Sequence, residues 1–211
     1  CVEPEDSSPE ALVFNRIVTL RDTWEDRLTE RRKEEAQRRA AQKERQKERK
    51  KREAERARQK RQEAVFKASA GEEVDGYEPT VRDEVRQQNP ELRERLSAFV
   101  DDHGLALEDA DMLSGDEALA DFFEAVVEVR QEPGEVAGWL VNEMLPEVDG
   151  DVGTDTFHEA FTDLPVEPGD AAALIAMYEG GRITSDVARD VLAEMLESGE
   201  DPEKIVEEQG L

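Results

Sequence analysis

The chain has 211 residues, a single cysteine, 28 Lys+Arg against 54 Asp+Glu, and a formal net charge of −26. A hydrophobic fraction of 37% beside a charged fraction of 39% argues against one large apolar core and for small helical modules. The acidity argues against indiscriminate binding of nucleic acid or anionic membrane by the whole surface.

Cys1 alone cannot build an intramolecular disulfide framework, which makes a reducing cytoplasm the expected setting. No apolar run approaches the roughly 20 residues of a membrane span, no signal peptide is visible, and no membrane contact is expected. The charge is distributed unevenly. Residues 30–63 hold 16 Lys+Arg against 8 Asp+Glu, while the remainder holds 12 against 46. An excess of acid over lysine also suits solubility in high salt, so a halophilic source stands beside ordinary solubility charge as a reading.

Residues 10–24, EALVFNRIVTLRDTW, read as a strand: Val13, Ile17 and Val18 are β-branched and Phe14 is aromatic. A lone strand cannot fold by itself, and the chain does not begin with Met. It is therefore expected to be a piece of a longer protein that supplies the other strands of the sheet. Residues 25–67 lack Gly and Pro and are dominated by Ala, Arg, Lys, Glu and Gln, the strongest helix formers. Glu34→Arg38, Glu35→Arg39 and Glu48→Arg52 are favourable i,i+4 pairs, whereas Glu44 and Glu48 repel. From Glu30 to Ala64 the only non-polar residues are alanines, so a coiled-coil seam is absent and a solitary charged helix about 50 Å long is expected.

Gly71, Gly76 and Pro79 mark residues 68–81 as a flexible linker. Short amphipathic helices follow over residues 82–149. Asn89-Pro90 caps the first, with Leu92, Leu96 and Phe99 on one face until Gly104. Leu119, Phe122, Phe123 and Val126 form a second stripe. Val136, Leu140 and Met144, with Trp139, form a third that Pro146 ends. Residues 150–164 read as a loop. Residues 165–211 read as a three-helix unit: Pro168 opens a helix bearing Leu174, Ile175 and Tyr178; Thr184 caps the next, with Val187, Val191, Leu192 and Met195 inward; Asp201-Pro202 caps the last, with Ile205 and Val206. The fold class expected is mainly all-α, with a small β remnant at the N-terminus, a long charged helix and two small helical modules.

No phosphate-binding G-x-x-x-x-G-K-[ST] loop and no metal-spaced Cys/His set occurs. His103 reads as a cation at a helix end and His158 as a surface residue of an acidic loop. Asp149, Asp151 and Asp155 invite a calcium-loop reading. Counted from Asp149, however, the sixth position is Thr154 and the twelfth Ala160, where that loop needs Gly and Glu. Arg16 and Arg21 read as structural or interdomain residues. The basic helix is the serious candidate: Arg45, Lys47, Arg49, Lys50, Lys51 and Arg52 put dense positive charge within about two turns, suited to phosphates. A solvated spacer is the bland alternative. In the last module the only cations are Arg182, Arg189 and Lys204, which become the tail's candidates for RNA backbone contact.

Two stretches carry resemblances. Val13 to Trp24, VFNRIVTLRDTW, resembles the closing segment of the β-barrel of glutaminyl-tRNA synthetases, with Cys1–Pro4 and Ser7-Ser8 looking like its lead-in. Residues 82–211 are similar to the tail of the GatB/YqeY families, through ELRERLSAFVDDHGL, ALADFFEAV, GWLVNEML, DLPVEP, EGGRIT and EMLESGEDPEKIVEEQGL. That pattern often has Gly-Lys where this chain has Ser185-Asp186; Arg189 keeps a cation that is commonly Lys, and Glu167 replaces a threonine cap.

Together the resemblances imply a non-catalytic C-terminal appendage of a glutamine–tRNA ligase. It would help hold the outer corner of tRNA-Gln for a catalytic domain that lies elsewhere and uses ATP and Mg. The rest of that synthetase would be its partner, with no DNA, no cofactor in this chain and a monomeric state. The alternative is a spacer or protein-docking tail that assembles the synthetase with another translation component.

Overall fold

A computed structural model describes residues 19–210, and every described element is helical. The chain divides into residues 1–58 and 59–211. Helix α1 (Thr19–Ser69) contributes to both. From Thr29 to Arg61 every residue of α1 is exposed. This part of the helix therefore rests on propensity and on side-chain pairs one turn apart rather than on tertiary burial. Glu48 pairs with Arg52 at 3.1 Å and Arg49 with Glu53 at 3.3 Å.

The expected strand over 10–24 is corrected where it can be seen: Thr19–Trp24 form the start of α1. Helix propagation is cooperative, and the long run of strong helix formers that follows carries the helix back through these residues. The rest of that strand, with Arg16, lies outside the described residues.

In the second unit α1 ends by burying Ala64, Val65, Ala68 and Ser69. Then come α2 (Val81–Gln88), α3 (Pro90–Asp101), α4 (Leu107–Leu113), α5 (Glu117–Arg130), α6 (Pro133–Trp139), α7 (Asp155–Thr162), α8 (Pro168–Glu179), α9 (Ser185–Ser198) and α10 (Pro202–Gln209). The sequence stripes become core. Leu92, Leu96 and Phe99 of α3 are fully buried, as are Leu119, Phe123 and Val126 of α5 and Leu174 and Ile175 of α8. Phe99 and Phe123 meet edge to face, their centroids 4.8 Å apart. Caps fall where the sequence puts them. Asn89 accepts from the N–H of Glu91 and Leu92, Thr184 from Val187, and Asp201 from Glu203 and Lys204.

Three expectations change. Residues 82–149 and 165–211, expected as two modules, share one continuous core from Val65 to Ile205, with α5 packed against α8. Residues 155–162, expected as loop, are α7: Thr154 caps it, and Phe157 and Phe161, one turn apart, stack at 5.4 Å. The third apolar stripe does not continue as an α-helix. After α6 the backbone widens into a π turn over Leu140–Met144, then tightens into a 3-10 turn over Leu145–Glu147. Pro146 cannot donate a backbone hydrogen bond and would crowd the carbonyl one turn back, so the α ladder gives way ahead of it. Gly199 ends α9 in the left-handed region at φ 68°, and a Cβ there would meet Pro165 at 3.0 Å.

Candidate nucleic-acid interface

Arg45, Lys47, Arg49, Lys50, Lys51 and Arg52 all lie on the exposed part of α1. Helical spacing puts Arg45, Arg49 and Arg52 in one row and Lys47, Lys50 and Lys51 in a neighbouring one. Two of the six are engaged within the helix, Arg49 with Glu53 and Arg52 with Glu48. Among the described residues, Arg45, Lys47, Lys50 and Lys51 have no carboxylate within ion-pair distance. Their charge is open to solvent on the stretch of α1, Thr29 to Arg61, where every residue is exposed.

The tail cations differ. Arg182 pairs with Glu203 at 3.2 Å, and Lys204 with Glu200 at 2.6 Å and Glu208 at 3.8 Å. Arg189 donates from Nε to Glu143 Oε2 at 2.7 Å and from Nη2 to Oε1 at 3.4 Å, with Asp186 at 3.8 Å. The hydrogen bond that Arg189 donates to Glu143 raises the Arg189 pKa, and the one that Lys204 donates to Glu200 raises the Lys204 pKa. Residues 165–211 set these three cations against twelve carboxylates. Each tail cation is thus neutralised in place, whereas the helix cations are largely not.

One constellation escaped the sequence reading. Arg86 is fully buried at the meeting of α1, α2 and α4 with all five N–H donors used. Its Nε donates to Ser69 Oγ at 2.9 Å, Nη1 to Asp111 O at 3.0 Å and Ser114 Oγ at 3.2 Å, and Nη2 to the carboxylates of Asp83 and Asp111. Asp83, also fully buried, accepts from Ser69, from the Tyr77 hydroxyl at 2.9 Å, and from the N–H and hydroxyl of Thr80 at 2.8 and 2.9 Å. Arg82 adds two bonds to Asp111. Residues 68–81, expected as a flexible linker, are therefore tied at Ser69, Tyr77 and Thr80 to this buried centre.

Burial alone would push the Asp83 carboxyl up. The Thr80 backbone N–H, Arg86, Tyr77 and the Thr80 hydroxyl outweigh it and hold the group below the usual carboxylate range. Tyr77 moves the other way, pushed up to about 12 by burial and then by its bond to Asp83. A raised acid favours the fold while protonated. The Tyr77 contribution is complete below the ordinary tyrosine value of about 10 and is lost as pH rises through about 12. Alkaline titration of phenolate absorbance should show a late step near that pH, and Tyr77→Phe should remove it.

The histidines take structural places. His103 follows α3, its ring packed near Phe99 and Phe123 with centroids 5.9 Å from each. His158, expected in a loop, sits on α7 with Nδ1 2.8 Å from Asp116, the residue that caps α5. Among the described residues no group of three His, Cys, Asp or Glu is placed to hold a metal ion. No described helix is long and apolar enough to cross a membrane.

Comparison with known proteins places this arrangement. Residues 121–211 match the family model described as GatB domain. The B subunit of the aspartyl/glutamyl-tRNA(Asn/Gln) amidotransferase of Desulfotalea psychrophila is 36% identical over 130 residues, covering 61% of this chain and 26% of that protein. Its counterparts in Carboxydothermus hydrogenoformans and Brevibacillus brevis are 34% identical over 130 residues and 32% over 128, covering 61% and 60% of this chain. The chain spans about a quarter of the length of these curated relatives, 26% in each case. Residues 121–211 are thus a GatB/YqeY domain, and the exposed basic part of α1 lies outside the matched span.

Proposed function

We propose that this chain is a tRNA-binding accessory segment of a translation enzyme, in which α1 supplies phosphate contacts and the GatB/YqeY domain lies against folded RNA. The observation that carries this reading is the set of unpaired cations Arg45, Lys47, Lys50 and Lys51 on a stretch of α1 whose every residue is exposed. Such charge binds phosphate without reading bases. The curated relatives, named for amidotransferase action on tRNA(Asn/Gln), support the same substrate class. Attachment to a glutamine–tRNA ligase, with tRNA-Gln as the RNA held at its outer corner, rests on the resemblance of Val13–Trp24. In that arrangement ATP and Mg belong to the ligase's catalytic domain, and this chain adds affinity by tethering.

A second reading is favoured by one observation, the neutralised tail. With Arg182, Arg189 and Lys204 all paired to carboxylates, the acidic domain would serve as a docking element for another translation component. Binding of the chain to tRNA-Gln and to an unstructured RNA of equal length separates the two. Preference for the folded RNA supports the first, and absence of RNA binding supports the second.

A further inference from the structure

The Arg189 pair differs from the other tail pairs in how it is built. Arg182 and Lys204 meet carboxylates of α10 or its immediate approach, but Arg189 of α9 meets Glu143, 46 residues away in the π turn. A π turn takes up one extra residue, so side chains beyond it are rotated by about 100° from their regular helical places. Here Leu140 and Met144 lie in the core while Glu143, within the turn, reaches α9. Trp139, Tyr178 and Ala188 wall the contact. The Glu143 side chain is 29% exposed and that of Arg189 is 59%, so the guanidinium can be reached by solvent while its partner is held.

With Asp186 also near, two carboxylates face one guanidinium, and an approaching phosphate meets a site with net negative charge. Specificity can come from such a repulsive element as well as from attraction. A lone or loosely held phosphate gains too little to displace Glu143. A phosphate delivered at high effective concentration, by an RNA already held elsewhere on the chain, gains more.

We propose that Glu143 is a specificity-determining residue for RNA: an internal carboxylate that occupies the Arg189 fork and reserves it for a phosphate of a folded RNA otherwise anchored to the protein. This rests on the tRNA-binding reading above. Exposed ion pairs of this kind are weak, so the gate sets a modest threshold rather than a block.

The test compares the full chain with Glu143→Gln, Arg189→Ala and the double variant, each titrated with transcribed tRNA-Gln and with an unstructured RNA of equal length. Gln keeps the size of the side chain and removes its charge. Glu143→Gln should bind RNA about two- to fivefold more tightly, with the larger gain for unstructured RNA, and the gain should vanish in the Arg189→Ala background. An equal gain with and without Arg189 would overturn the proposal, because relief of general repulsion would then account for it. Arg189→Ala weakening tRNA binding while Glu143→Gln changes nothing would overturn the gate but leave the tRNA reading standing. If the unaltered chain binds no RNA, both fall.

Discussion

Arg86→Met is expected to lower the unfolding free energy of the chain by about 3–5 kcal/mol, the range found when one member of a buried ionic group is removed. The substitution deletes all five donors at once. It leaves Asp83 wholly buried with its cation gone, and leaves Ser69 and Ser114 without their guanidinium partner. A buried charge that loses its partner is expensive because neither water nor another cation can replace it. Arg82→Met is the control: Arg82 is 23% exposed, contacts only the outer carboxylate of the group, and should cost about 1 kcal/mol or less. Urea unfolding of the two variants checks the contrast.

The acid limb gives an independent reading of the same centre. Asp83 is held below the ordinary carboxylate value, so its contribution is complete above roughly pH 4 and is lost as pH falls through the lowered value. In Arg86→Met that stabilisation is already diminished, and the fall in stability toward acid should flatten. An unchanged acid limb would mean that Asp83 is held by Thr80 and Tyr77 without help from Arg86.

The second large effect concerns α1. Changing Arg45, Lys47, Arg49, Lys50, Lys51 and Arg52 together to glutamine should weaken tRNA binding by on the order of a hundredfold at low salt. It should also reduce the slope of log affinity against log salt by roughly 0.7–0.9 for each phosphate that the variant no longer neutralises. Glutamine is nearly as good a helix former as arginine or lysine, and the replaced side chains bury nothing, so helicity by circular dichroism should be retained. A variant that stays helical and binds as before would make this part of α1 a spacer.

The sequence was most legible where a local rule had little competition. The caps at Asn89, Thr184 and Asp201 follow from residue type and neighbours alone. The stripes at Leu92, Leu96 and Phe99, and at Val191, Leu192 and Met195, follow from helical period and became core. Phe157 and Phe161 carried the same signal for α7, but the Asp- and Gly-rich run before them outweighed it. The strand over 10–24 fails at Thr19–Trp24, where β propensity meets a long helix-forming run that continues through them.

The buried centre could not be read at all. Ser69 and Ser114 reach Arg86 from 17 and 28 positions away on either side, Asp83 and Asp111 join them, and each alone looks like a surface residue. Gly71 and Gly76 mark true turns, but turn chemistry does not say whether the segment is tied down. The candidate cations show the same divide. Their presence on α1 and on the tail is plain in the sequence. Lys204 with Glu200 shows the helical spacing of a pair, but Arg189 with Glu143 joins residues 46 positions apart, which local spacing does not announce.

Titration of the whole chain with tRNA-Gln and with an unstructured RNA of equal length, over a salt series from about 50 to 200 mM, tests the central claim most directly. The account predicts tighter binding of the folded RNA, with affinity for both falling steeply as salt rises. Equal binding of the two RNAs, or no binding even at the lowest salt, would contradict it and leave the acidic domain as a docking element for a protein partner.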